Sequence, residues 1–301
     1  MSEAGIRIGV IASADRLLAS PALGRPYCGV LEAAGIESVW AVEHIVVAQR
    51  YEQVFPYSAD GRMRSAPDRP RPDPIDLLAW LAGQSATLLL GTGVIVAPLH
   101  NPAQLAERAA TVDVLSGGRM LLGVGIGWQR EEYSALGVPF ADRGGRLEDY
   151  IGAIRSLWRE EPSRHRGRYV RYDGIFCRPR PQTGAIPVIV GGNSPRAVER
   201  AGRIGDGWFP YAIQPDEFAS GARSIAAATS GRAFDVTAWP GSASRSRQFD
   251  PDFVQRFVDG GATRIIFDPE MNLGDPLSSL ADELERYRRQ VAAKLRPVAA
   301  S

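Results

Sequence analysis

The residues best suited to chemistry are few, and each follows an apolar run. "SVWAVEH" ends in Glu43 and His44, and an imidazole can give or take a proton near neutral pH. "VAPLHNP" places His100 after a second run, "GVGIGW" ends in Gly127 and Trp128, "GGNS" covers Gly191, Gly192, Asn193 and Ser194, and Ser13 and Tyr211 close two more. This set has glycines, aromatics and one His–Glu pair, but no cluster of carboxylates. It lacks the ligands of a metal hydrolase, so no metal is expected, and no G-x-S-x-G elbow occurs. Such a set suits a cofactor that carries its own chemistry.

Two glycine-rich stretches bear on that cofactor. "GGRMLLGVGIGW" is not the G-x-G-x-x-G of a dinucleotide site, because Gly123, Gly125 and Gly127 alternate within a strand rather than bracket a turn. Alternation turns all three to one side. That side either leaves room for something flat or packs tightly against a neighbouring element. In "GGNSPRAVERAG", paired glycines precede a helix that Ser194 can cap, which makes an anion site at the helix N-terminus. The same residues also suit an ordinary strand-to-helix turn.

These groups meet only if the runs before them are neighbouring strands. Eight strands are expected, at Ile6–Ala12, Glu37–His44, Thr87–Ala97, Met120–Ile126, Ile186–Val190, Asp206–Tyr211, Val236–Trp239 and Thr263–Asp268. Amphipathic helical patterns follow them, among them Arg146–Arg159 and helices opened by Asn101-Pro102, Ser194-Pro195 and Asp250-Pro251. Strands three to five read as nearly continuous apolar runs, as in parallel sheets covered on both faces. The expected fold is an α/β (β/α)8 TIM barrel with chemistry at the C-terminal strand ends; an open doubly wound sheet is the alternative. Two connections exceed barrel turns, at about 45–74 and 159–184, and suit either lids or surface insertions. His165, in the second, reads as solvated.

Composition narrows the function classes. The 301 residues are 45% hydrophobic with a formal net charge of +1, so no basic field draws nucleic acid or an acidic membrane. Cys28 and Cys177 are far apart, the first residues do not read as a secretory signal, and no apolar run reaches membrane-spanning length. A cytoplasmic protein without nucleic-acid or membrane partners is expected.

The blocks "SVWAVEH", "LLLGTGVIVAPLHNPAQLAERAATVDVLSGGRMLLGVGIGW", "GVPFADRGGRLEDYIGAIRSLW" and "PVIVGGNSPRAVERAGRIGDGW" resemble the luciferase-like monooxygenase superfamily, and more narrowly its coenzyme F420-dependent oxidoreductase branch. The resemblance implies a single barrel domain over 1–301, a homodimer, and a deazaflavin or flavin at the strand ends. It implies a non-proline cis peptide at Gly93-Val94 in a bulge that props the cofactor ring. It places His44 at the reactive ring edge as the catalytic residue, Gly127 and Trp128 on the ring and ribityl chain, and Gly191 to Ser194 on the phosphate. Glu43 stands where many F420-dependent members carry Asp, and His100 replaces an arginine common in its loop. Arg62, Arg64, Arg69 and Arg71 could meet the acidic tail of F420. The implied activity is hydride transfer between F420 and a small organic substrate. The alternatives are an FMN-dependent monooxygenase using dioxygen, and a catalytically inactive flavin-binding protein.

Overall fold

The structure, a computed structural model, describes residues 6–63 and 65–297. Its strands are β1 (Arg7–Ile11), β2 (Ser38–Ala41), β3 (Leu89–Thr92), β4 (Ile95–Val96), β5 (Met120–Gly125), β6 (Ser163–Arg166), β7 (Arg171–Ile175), β8 (Val188–Gly191), β9 (Gly207–Phe209), β10 (Asp235–Ala238) and β11 (Arg264–Phe267). Its α-helices are α1 (Ala14–Ala19), α2 (Gly24–Ala33), α3 (Pro74–Ala82), α4 (Pro102–Ser116), α5 (Arg130–Ala135), α6 (Arg143–Arg159), α7 (Pro195–Ile204), α8 (Pro215–Thr229), α9 (Pro240–Ala243), α10 (Pro251–Asp259) and α11 (Pro276–Gln290). Parallel strands run in the order β3-β2-β1-β11-β10-β9-β8-β5, and pairing of β5 with β3 closes the ring into the expected eight-position barrel.

Strand alternation sorts the side chains into two cores. Val10, Val39, Leu90, Leu122, Val190 and Phe267 point outward and are buried under the helices. The lumen holds a smaller cluster of Ile11, Trp40, Leu121, Ile189, Phe209 and Ile266. Trp40 lies across the lumen on Gly91, where a Cβ would come within 2.4 Å of the indole. At the floor, fully buried Arg264 donates to both oxygens of Glu37 at 2.8 Å and to Asp235 at 3.3 Å. A guanidinium is tolerated there because its donors are matched by carboxylates in fork geometry.

Most barrel helices start the same way. Asp73, Asn101, Ser194, Asp250 and Asp275 each accept a backbone N–H of the first turn, and each is followed by proline. The side chain satisfies an orphan donor, and proline needs none. Helix α3, opened by Asp73-Pro74, belongs to this set although the sequence reading did not place it.

The third position departs from expectation. The run Thr87–Ala97 is not one strand: it breaks at Gly93 and Val94, which a cis peptide joins, and resumes as β4. That break settles what the alternating glycines do. A Cβ on Gly123 would lie 1.8 Å from the Thr92 carbonyl oxygen, one on Gly125 2.7 Å from Val94, and one on Gly127 2.7 Å from Val96. Residues 92, 94 and 96 therefore mesh with these glycines: tight packing fills the side at Gly123, while Gly125 and Gly127 still border the cleft at the barrel mouth.

The long connections fold differently. Residues 42–73 contain no helix or strand among those described. The second connection contains an antiparallel hairpin, β6–β7, lying on the outer side of α6. His165 is not solvated: its Nε2 meets the Asp149 carboxylate of α6 at 2.6 Å.

Candidate active site at the barrel mouth

The C-terminal strand ends open into a cleft of about 2350 Å³ lined by all the expected segments: Glu43-His44, Gly93-Val94, Gly127-Trp128 and the turn Gly191–Ser194. Glu43 and His44 are successive residues after β2, so their side chains diverge. Each is met by the opposite residue type from another element. His44 Nδ1 lies 3.2 Å from Oε2 of Glu132 on α5, and Glu132 Oε1 accepts the Ile45 N–H at 2.8 Å. Glu43 Oε2 accepts the Val96 N–H at 2.7 Å, and its Oε1 meets His100 Nε2 at 2.9 Å. Both oxygens of Glu43 are thus held by the protein's own groups, and His100 is its partner.

Glu132, which is not among the residues singled out from the sequence, is the carboxylate that meets His44. It is 1% exposed. A carboxylate that is buried and accepts a main-chain N–H from the β2 end is fixed in place, so it orients the imidazole rather than following it. With Nδ1 turned to Glu132, the other ring nitrogen, Nε2, is left for the cleft. Its signal in the sequence was weak: "WQREEY" contains two adjacent glutamates, and only the register of α5 shows which one turns inward.

The floor of the mouth is Val94. Cβ atoms on Gly125 and Gly191 would sit 2.7 and 3.1 Å from its methyls, so the isopropyl group is seated between two side-chain-free strands. Over it, the first long connection contributes aromatics. Tyr51 and Phe55 meet Trp128 edge-to-face at 5.3 and 4.9 Å between ring centroids; Tyr57 meets Tyr211 at 5.0 Å; Tyr211 meets Trp239 at 5.3 Å. Burial, with Tyr211 beside it, pushes the Tyr57 phenol above its ordinary range.

At the turn after β8, Gly192 adopts φ 110°, a conformation open to glycine, and Ser194 Oγ accepts the Ala197 N–H at 3.3 Å. Asn193 does not offer its side chain to the cleft. Its amide donates to the Tyr211 carbonyl and its oxygen accepts the Tyr211 N–H, which ties the β8 and β9 ends together. Two of the arginines that line the same cleft, Arg130 and Arg143, lie with their guanidiniums over the Phe140 ring at 4.5 and 3.8 Å. Neither has a carboxylate partner among the described residues. Burial, with Arg130 nearby, holds Arg143 below the usual guanidinium range. Two arginines of the first connection, Arg69 and Arg71, already have partners. Arg71 donates to Ser65 and to the carbonyls of Ala66, Pro67 and Arg69, and Arg69 pairs with Asp15 at 3.2 Å. Arg64 lies outside the described residues.

A closed parallel barrel whose mouth has a seated bulge in its third position, a histidine held from behind and a helix-capped glycine turn defines one class, and the chain belongs to the luciferase-like monooxygenase family, whose description matches residues 25–245. Among its relatives, the Mycobacterium tuberculosis protein Rv0940c is 30% identical over 281 residues, covering 90% of this chain and 94% of that one. The F420-dependent glucose-6-phosphate dehydrogenase of Kineococcus radiotolerans is 31% identical over 208 residues, 68% of this chain and 56% of that protein. A type II Baeyer-Villiger monooxygenase component from Pseudomonas putida, solved in complex with FMN, superposes with a TM-score of 0.71 at 16% identity, covering 98% of this chain and 100% of that one. Among the described residues no helix is long and apolar enough to cross a membrane.

Proposed function

We propose that the chain is an oxidoreductase that binds coenzyme F420 at the barrel mouth and transfers hydride between it and a small organic substrate. The observation that carries the reading is His44, held by Glu132 at the edge of a cleft large enough for a tricyclic ring and its tail. The residues present fit such a group. Val94 offers a flat apolar seat flanked by glycines. The first turn of α7 with Ser194, and the carboxylate-free guanidiniums of Arg130 and Arg143, suit its anionic end. When bound, the deazaflavin would supply the two-electron chemistry.

The chain's own residues supply placement and proton handling. Glu132 keeps the Nδ1 side of His44 occupied, so a proton is held or moved at Nε2, the nitrogen left for the cleft. Glu43, locked by Val96 and His100, fixes the β2 end against β4 and so holds the base of His44 relative to Val94. Tyr51, Phe55 and Trp128 cover the mouth and keep water from it.

F420 is favoured over FMN by the dehydrogenase relative, whose name carries that cofactor. Reduced FMN with dioxygen is the second reading, favoured by the family's description and by the FMN-bound structural neighbour. Fluorescence titration of the purified protein with each cofactor tests the choice. Saturable F420 binding is expected, and binding of FMN alone overturns the F420 reading. Ser194→Asp should weaken F420 binding by about tenfold through like-charge repulsion at the phosphate; equal affinity in both proteins moves the phosphate elsewhere. The reading further expects a cytoplasmic homodimer, which sedimentation velocity checks by mass.

A further inference from the structure

We propose that His100 is a positioning residue: through the Glu43 carboxylate it sets how far His44 stands from the Val94 ledge. The inference rests on the oxidoreductase reading above, in which His44 handles a proton beside a ring seated on Val94. It adds a residue that does not itself line the cleft.

The first observation is a gap between two main chains. β2 and β3 pair as far as Ala41 and Thr92, and the Gly93 N–H donates to the Ala41 carbonyl at 2.7 Å. Past that point the chain pairs with β5 instead, Ile95 with Val124 and Val96 with Gly125. Among the described residues no main-chain hydrogen bond joins 42–44 to 94–96. Packing against the β5 glycines fixes the ledge relative to β5. It does not fix the ledge relative to His44, which stands just past the end of β2. The Glu43 side chain spans that gap, its Oε2 accepting the Val96 N–H at 2.7 Å.

The second observation is what keeps that side chain in place. The Glu43 side chain is 2% exposed, and a carboxylate so deeply buried needs both oxygens matched. His100 matches the second one: its Nε2 lies 2.9 Å from Oε1. An ionised carboxylate only accepts, so Nε2–H donates to it. His100 is itself anchored. Its N–H donates to the Ala97 carbonyl at 3.1 Å, which closes the short turn Ala97–Leu99, and Asn101 beside it caps α4. One carboxylate thus ties Val96 and His100, the two flanks of that turn, to the residue before His44. Without the imidazole, Oε1 is left unmatched, the carboxylate is drawn toward solvent in the cleft, and the Val96 N–H loses its acceptor.

The test uses two substitutions that differ in reach. From the same Cβ, a glutamine amide nitrogen extends as far as imidazole Nε2, and an asparagine amide falls short. His100→Gln should keep the brace and His100→Asn should lose it. In proton–nitrogen correlation NMR of the cofactor-free protein, the Val96 amide proton is expected to move upfield in His100→Asn and to keep its place in His100→Gln. On saturation with F420, the carbon-bound protons of the His44 imidazole report the ring current of the cofactor. That shift is expected to change in His100→Asn and to match the parent in His100→Gln. F420 affinity by fluorescence should stay within about twofold in both, because the ledge keeps its seat on β5. Should His100→Asn fail to fold, His100→Leu, which fills the space and brings no donor, replaces it with the same expectation. An unmoved Val96 amide in the folded donor-free variant, or equal changes in His100→Gln and His100→Asn, overturns the proposal. A moved Val96 amide with an unchanged ring-current shift at His44 also overturns it, and makes His100 merely structural. The two levels separate: the Val96 amide is read without cofactor and judges the brace, whereas a parent that does not bind F420 overturns the cofactor reading alone, and FMN then supplies the ring current.

Discussion

The two long connections look alike as sequence: both are polar, arginine-rich and about equally long. They do opposite things. The first leaves the C-terminal end of β2, folds back over the barrel mouth, and puts Tyr51, Phe55 and Tyr57 against Trp128 and Tyr211. The second leaves the C-terminal end of α6 and lies along that helix on the outside. There Tyr172 donates to the Ala153 carbonyl at 2.7 Å, and Asp149 takes hydrogen bonds from His165 and from the N–H groups of Tyr169 and Val170. A loop after a strand falls on the face where barrels do chemistry; a loop after a helix starts from the opposite face. Position in the β-then-α alternation separates the two connections where composition does not.

If that contrast is sound, damage near the first connection should cost activity, and damage to the second should cost stability. The largest effect is expected from His44→Ala, where the first connection begins: turnover falls by about 10²- to 10⁴-fold, the usual share of general acid–base catalysis, while F420 affinity measured by fluorescence stays within about twofold. Unchanged turnover removes His44 from the mechanism. Next is Glu132→Gln, which keeps the shape but loses the anion behind the imidazole. We expect turnover to drop by about tenfold while F420 affinity stays within about twofold, because the imidazole loses the anion that orients it. A drop in turnover matched by an equal loss of F420 affinity makes Glu132 merely structural.

The smallest effect on activity, and the sharpest contrast, belongs to Asp149→Asn in the grip of the second connection. Burial pushes the Asp149 carboxyl up, but hydrogen bonds from His165 and the two backbone amides outweigh it and hold the group below the usual aspartate range. A carboxyl depressed in the folded state contributes stability that is fully present above its unfolded pKa and is lost as pH falls through the folded one. The variant should lose about 1–3 kcal/mol at neutral pH by urea denaturation, and the gap to the parent should close in acid. Its turnover should match the parent. Activity lost in step with stability would break the contrast.

The barrel was legible because its strands carry strong signals: apolar runs ended by glycine turns, and helices opened by a capping residue and proline. The resemblance supplied the Gly93-Val94 bulge, which a run of small and branched residues does not announce. Where the reading failed, the deciding fact was a partner distant in sequence. Gly123, Gly125 and Gly127 look like vacated space until Thr92, Val94 and Val96 are seen to occupy it. His165 looks solvated until α6 brings Asp149 beside it. Arg69 and Arg71 look available until the first is found paired with Asp15 and the second bound to carbonyls of its own loop. Glu132 stayed hidden for the same reason: nothing local marks one of two adjacent acids as the neighbour of a residue 88 positions earlier.

The meshing of residues 92, 94 and 96 with Gly123 and Gly125 of β5 and with Gly127 just past its end has a further consequence. The height of Val94 above the barrel floor is set by main chain against main chain and by one short side chain, with no long rotamer to relax. Loops around the mouth can therefore change length and chemistry over many substitutions while this ledge keeps its level. A fold built in this way can exchange one substrate for another without re-aiming the molecule that rests on it.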